Sequence, residues 1–267
     1  MDISKLRSIP HLSASSIQSY MGCGLQYRFY RIDKFQREYT SDNLIFGSMI
    51  HKVLAEYNQE KLMGNFMSAQ ELMDLFEAYW IDGVQNKPDI KYSKGKDFEG
   101  LLNKGKEMIQ TFINEVPRDA YEVVAIEEPF KFYIDGLDIP MIGIMDLVEK
   151  DENDTIIITD YKTMSSSITL NEIDQNFQLS VYYMAARKNG YADNDIVLKL
   201  DCLFKTKVPK FKQVYTYRNE DDEKRAAKKI KETWKAIQFG VFLPTGEGTW
   251  RCNYCEYKSY CDNWFLN

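Results

Sequence analysis

Near Pro117 the hydrophobic pattern of the chain changes period, and that change restricts the folds open to it. Upstream, Ile50, Val53, Leu54 and Tyr57 recur at helical spacing, which predicts a helix over residues 46–61 that carries His51. Further helices are expected across 68–115, parted by a loop at 87–96. Downstream, β-rich runs at 122–134, 139–149 and 155–161, joined by Asp135-Gly136 and the polar turn 150–154, read as consecutive antiparallel strands. A helix over 171–188, strands at 196–205 and 213–218, and a charged amphipathic helix at 221–239 complete the pattern. The order implies an α/β fold with a mixed sheet flanked by helices. With 267 residues, a single domain is expected, in which 62–118 is a helical insertion.

Asp160-Tyr161-Lys162 follows the apolar run Ile156-Ile157-Ile158, so Asp160 and Lys162 lie two apart at a strand end and share a face. Asp146, on the preceding strand, can lie beside Asp160 if the turn at 150–154 sets that register. Two carboxylates and an ammonium suit phosphodiester hydrolysis. A hard cation held by carboxylate oxygens polarises the phosphate and activates water, and a lysine offsets charge growing on the phosphate. Taken alone, an Asp-x-Lys at a strand end is more often a surface ion pair.

Gly143-Ile144-Met145-Asp146, Asp160-Tyr161-Lys162-Thr163 and Gln178-Leu179-Ser180-Val181-Tyr182 resemble, in order and spacing, three motifs of the RecB-like PD-(D/E)XK nucleases. Upstream, Gly47-Ser48-Met49-Ile50-His51 resembles that family's histidine-bearing helix, and Leu12-Ser13-Ala14-Ser15 leading to Tyr20 and Cys23 resembles its opening motif. The resemblance runs from near Leu12 to Trp264. It implies a restriction-endonuclease-like sheet and a metal-dependent DNA exonuclease acting on single-stranded or frayed ends. It also implies Mg²⁺ or Mn²⁺ held by His51, Asp146, Asp160 and the carbonyl of Tyr161, with Lys162 catalytic. Gln178 and Tyr182, four apart on one helix face, would contact substrate or order the site. A CRISPR-associated nuclease and a non-catalytic DNA-end binder are the alternatives.

Cys252-x-x-Cys255 and Cys261 have metal-ligand spacing but supply three thiolates. Cys23, at the irregular Gly22-Cys23-Gly24 junction that follows a short helix opened by Leu12 and Ser13, is the candidate fourth; Cys202 reads as a buried strand residue. Four thiolates suit either structural zinc or an iron-sulfur cluster, and the trio could instead bind zinc with Asp262. The resemblance implies a 4Fe-4S cluster joining the N- and C-terminal segments, although Gly24 stands where the family commonly has proline.

The net charge of −6, from 34 basic and 40 acidic residues, means that any attraction to nucleic acid is local. Lys205, Lys207 and Lys210, with Lys199 and Lys212 beside Phe204 and Phe211, form one candidate DNA-binding stretch, and the lysine-rich segment 87–106 a second. There is no Gly-x-x-x-x-Gly-Lys-Ser/Thr loop, so ATP-driven unwinding would need a separate helicase or recombination partner. No apolar stretch suits a signal peptide or a membrane span, and a cytoplasmic protein is expected.

Overall fold

The computed structural model describes residues 2–118, 120–245 and 248–266. Helices α1 (Ile3–Arg7), α2 (Ala14–Gly22) and α3 (Gly24–Tyr27) lead through a π-helical turn (Arg28–Ile32) to strand β1 (Thr40–Ser41) and the long helix α4 (Asp42–Leu62). Helix α5 (Ala69–Gln85), strand β2 (Ile90–Lys91) and helix α6 (Phe98–Glu115) precede strands β3 (Glu122–Phe132), β4 (Met141–Lys150) and β5 (Ile156–Met164). Helices α7 (Leu170–Asp174) and α8 (Phe177–Lys188), strands β6 (Ile196–Phe204) and β7 (Lys210–Thr216), and helices α9 (Glu220–Gln238), α10 (Trp250–Asn253) and α11 (Lys258–Leu266) follow.

Strands β3 to β7 form one sheet in chain order, antiparallel throughout except for the parallel pair β5–β6. That pair needs a crossover, which α7 and α8 supply. The single helix expected over 171–188 is two. Asn176 leaves helical geometry at ψ 112° and its side chain accepts the Leu179 N–H, so a new helix starts there. A polar cap outcompetes continuation of the apolar pattern.

Each face of the sheet buries its own core. On one, Ile17 of α2, Leu179 of α8 and Ile230 of α9 pack with Ile156 and Ile158. On the other, Phe46 and Val53 of α4, Trp80 of α5 and Phe112 of α6 pack with Leu147, Tyr161 and Leu203. Segment 62–118 thus provides α5 and α6 of the second layer. Each such side chain contributes about 1.5–3 kcal/mol on burial.

One departure from regularity positions everything that follows. The first residues of β4 are flanked by the N-terminal segment: Leu12 N–H donates to the Pro140 carbonyl at 3.0 Å, and Ile142 N–H donates to the Leu12 carbonyl at 2.8 Å. Strand β5 takes over that side only from Leu147, paired with Thr159. Between these partners β4 runs through the crotch of a fork, and Asp146 lies in it. Met145 and Val148, three residues apart, both bury in the first core, so strict alternation slips here. Opposite Asp146 in the β3–β4 register stands Glu127, whose φ of +46° marks the same irregularity.

A candidate active site in the fork of the sheet

Asp146 does with its side chain what a ladder carbonyl would otherwise do: its Oδ2 accepts the Tyr161 N–H at 3.0 Å. The same oxygen lies 3.3 Å from His51 Nδ1 of α4. Burial disfavours the imidazolium, yet the hydrogen bond and charge of Asp146, with the charge of Asp160, outweigh it and hold His51 above its ordinary range. The β4–β5 register, continued one pair beyond Leu147 and Thr159, sets Asp146 against Asp160 as the sequence anticipates.

Asp160 is almost fully buried in the middle of β5, which runs on to Met164 in its pairing with β6 and does not end near Tyr161 as the sequence reading expects. Its Oδ2 forms a 2.7 Å ion pair with Lys162 Nζ, without the alignment of a hydrogen bond. Burial pushes this carboxyl up and Lys162 pulls it back. Lys162 Nζ also donates to Gln178 Oε1 at 2.9 Å. Gln178 Nε2 in turn donates to the Tyr182 hydroxyl at 2.8 Å, and that hydroxyl donates to Asp160 Oδ1 at 3.5 Å. Two side chains of β5 and two of α8 thus close a ring. Burial and the neighbouring carboxylates keep Tyr182 protonated far above neutral pH.

All five polar side chains named from the sequence, with His51, therefore meet in one region. Among the described residues, no group of three or more His, Cys, Asp or Glu side chains is placed to hold a metal ion. The Asp160 carboxylate, whose Oδ2 accepts no aligned hydrogen bond, nevertheless has the chemistry of an oxygen ligand for a hard cation beside Asp146.

Other residues support the site without having been legible as part of it. Gly143 is there because a Cβ would sit 2.4 Å from the Phe130 ring. Asn58, buried on α4, donates to the Tyr161 hydroxyl at 2.9 Å and to the Leu54 carbonyl at 2.7 Å. A polar residue one turn beyond Leu54 on an apolar face was its only signal. Lys199 is buried, not a solvated DNA contact: it pairs with Glu149 at 3.0 Å and Asp201 at 3.7 Å. Burial pushes Asp201 up to about 6 despite Lys199.

Lys205 donates to Asn43 Oδ1 at 2.7 Å and lies over the Phe46 ring, and burial lowers it to about 8. Lys207 and Lys210 are exposed at the β6–β7 connection. In the 87–106 segment, Lys106 is occupied by Glu77 and Lys104 by Glu107.

The four cysteines of the predicted cluster, Cys23, Cys252, Cys255 and Cys261, line one cavity of about 300 Å³ with Gln26, Phe29 and Tyr257. Cys202 is fully buried in β6, its thiol pushed up to about 11 by burial. Burial and the neighbouring thiols also raise Cys255 and Cys261. The C-terminal segment is fastened to the N-terminal one by an ion pair of Arg37 with Glu256 at 3.3 Å. Glu38 Oε1 adds to this by accepting from Ser259 N–H and Oγ, both at 2.7 Å. Among the described residues, no helix is long and apolar enough to cross a membrane.

The family model described as the PD-(D/E)XK nuclease superfamily matches residues 11–262. Over 259 residues the chain is 25% identical to the B subunit of an ATP-dependent helicase/deoxyribonuclease of Clostridioides difficile (strain 630), covering 85% of this chain and 22% of that protein. The chain therefore spans about a fifth of that relative's length. A crystal structure from Eubacterium rectale, provisionally described as an exonuclease, superposes with a TM-score of 0.59 at 12% identity. It covers 94% of this chain and 87% of the other, a likeness of fold.

Proposed function

Because the chain belongs to the PD-(D/E)XK nuclease superfamily, we propose that it is a metal-dependent DNA exonuclease hydrolysing phosphodiester bonds of single-stranded or frayed ends, with a role in DNA repair or recombination. The observation that carries this reading is the closed ring of Lys162, Gln178, Tyr182 and Asp160 beside Asp146. It holds an ammonium and one carboxylate, with a second carboxylate beside them, an arrangement suited to chemistry on a phosphate.

In this reading His51, Asp146, Asp160 and the Tyr161 carbonyl hold Mg²⁺ or Mn²⁺, which when bound supplies a Lewis acid and an acidified water. Lys162 orients the attacking water and offsets charge that grows on the phosphate. Gln178 fixes the ammonium, and Tyr182 keeps Gln178 and Asp160 in register. Imidazole among the ligands suits Mn²⁺ well. A separate helicase would supply unwinding, in line with the name of the Clostridioides difficile relative.

The cysteine cavity is the second part of the proposal. All four cysteines line this one cavity, which supports a group held jointly by four thiolates. We assign it to a 4Fe-4S cluster in preference to zinc, held by Cys23, Cys252, Cys255 and Cys261. Its role is structural, joining segments more than two hundred residues apart.

The test is a nuclease assay on labelled single-stranded DNA with Mn²⁺ or Mg²⁺, beside Asp160→Ala and Lys162→Ala. Loss in both variants with an unchanged fold supports the site. Wild type inactive on single strands, duplexes and ends with either metal overturns it in favour of DNA-end binding.

A further inference from the structure

Facing the catalytic side chains across the fork is a wall that the proposed chemistry does not use. A cavity of about 600 Å³ has Asp146, Gln178 and Tyr182 on one side and Arg7, Tyr30 and Arg31 on the other. Arg31 Nε is buried without a hydrogen-bond partner. A buried donor left without a partner is costly unless something satisfies it. Arg7 is exposed. The Tyr30 ring is 39% exposed, with the guanidinium carbons of Arg31 and Arg37 at 4.9 and 4.8 Å from its centre. Arg37 is itself held by Glu256, so the ring sits in a braced cationic stack. The carboxylate of Glu127, exposed in the same cavity, adds to the negative charge of Asp146 opposite.

Positive charge and an exposed aromatic group on one wall, with negative charge on the other, suit a polyanion with flat bases. Arginines take phosphates, and aromatic rings or guanidinium planes take unpaired bases. The volume lies within the ~300–1,000 Å³ typical of small-molecule sites, room for one or two nucleotides. We propose that this wall is a subsite for one unpaired DNA strand, with Arg7 and Arg31 gripping phosphates next to the scissile one and the Arg31–Tyr30–Arg37 stack receiving a base. The inference rests on the nuclease reading above and adds to it what selects a single strand.

The test is fluorescence anisotropy of a labelled oligo-dT and of a blunt hairpin duplex, with Ca²⁺ in place of the activating metal. Wild type is compared with Arg7→Glu, Arg31→Ala, Arg31→Lys, Tyr30→Ala and Tyr30→Phe, each checked for folding by thermal melting. Steady-state cleavage of oligo-dT is measured alongside. Tyr30→Ala should weaken oligo-dT binding ~5- to 100-fold, while Tyr30→Phe retains it. Arg7→Glu and Arg31→Ala should raise KM with kcat nearly kept, and flatten the dependence of log K on log salt by about 0.7 for each phosphate no longer neutralised. Arg31→Lys should fall between Arg31→Ala and wild type. Wild type that cuts while these variants keep its Kd, KM and salt slope overturns the subsite alone, as does equal weakening for the duplex. Wild type that neither binds nor cuts overturns the nuclease reading and the subsite with it. If Arg31→Ala unfolds, the exposed Arg7 and the Tyr30 pair decide the question.

Discussion

Lys162 on β5 and Gln178 on α8 are joined end to end, the ammonium donating to the amide oxygen at 2.9 Å. The amide group has no freedom left, because its nitrogen is committed to Tyr182. A glutamine held at both ends fixes the lysine in a way that a free one cannot.

Gln178→Leu should therefore lower kcat ~10- to 100-fold, the usual effect of losing a partner that orients a site. Tyr182→Phe should lower it less. In the double variant the losses should fall short of additive, because both act through one ring. Single-turnover cleavage of oligo-dT measures this, and strict additivity would break the ring into independent contacts.

Glu127→Gly should stabilise the fold. A non-glycine residue at φ +46° carries strain of roughly 1 kcal/mol, and the exposed side chain gives little packing in return. Chemical denaturation should show a higher midpoint. An unchanged or lower one would mean that the carboxylate stabilises the fork more than its backbone strains it.

Gly143→Ala should do the opposite. The added methyl meets the Phe130 ring at 2.4 Å, and that ring is buried against Tyr182. Overpacking of this kind costs about 1–3 kcal/mol. Activity should fall with stability, since a displaced Phe130 presses on Tyr182 of the candidate site. A variant as stable and active as wild type would show that the contact relaxes freely.

Asp201 sets a pH dependence. Burial raises its folded pKa to about 6, above the ~3.9 of an unfolded aspartate. Between pH ~4 and ~6 the folded state holds a proton that the unfolded state has released, so this group's contribution to stability falls as pH rises through that window. At ~1.4 kcal/mol per unit, the fall amounts to roughly 3 kcal/mol at most. Denaturation of wild type and Asp201→Asn at pH 4, 5, 6 and 7 should show the variant gaining on wild type over this range. A constant difference would place the proton elsewhere in the Lys199–Glu149–Asp201 group.

Anaerobically purified protein should contain iron and absorb visible light. Cys23→Ser, Cys255→Ser or Cys261→Ser should lose both, whereas Cys202→Ser should keep them, since Cys202 lies in β6 away from the cavity. Zinc in place of iron in the wild type would reverse the assignment.

The strand register could be read because an apolar run and a short polar turn leave few alternatives; Asp146 and Asp160 fall together as that reading requires. The α7–α8 break was hidden because Asn176 sits in a pattern that otherwise continues a helix, and only its side-chain bond shows that it starts one. Lys199 looked like part of a basic stretch, since sequence does not show that Glu149 of another strand comes to the face it shares with Asp201. Glu127 was illegible for a deeper reason: nothing in a residue's type announces a positive φ. The roles of Arg7, Tyr30 and Arg31 depended on how the N-terminal segment folds across the fork, which no local pattern encodes.

The docking of the Glu38 region onto Ser259, 221 residues later, also bears on how the protein is made. At ~5–20 residues per second, the first forty residues leave a ribosome on the order of 10–40 s before the segment that covers them. Until then Leu25 and Phe29, buried in the finished protein, stay open to solvent and to chaperones. A synthesis stopped between Thr216, where β7 ends, and Cys252 would release a chain whose sheet is complete but whose Leu25 and Phe29 still lack Tyr257.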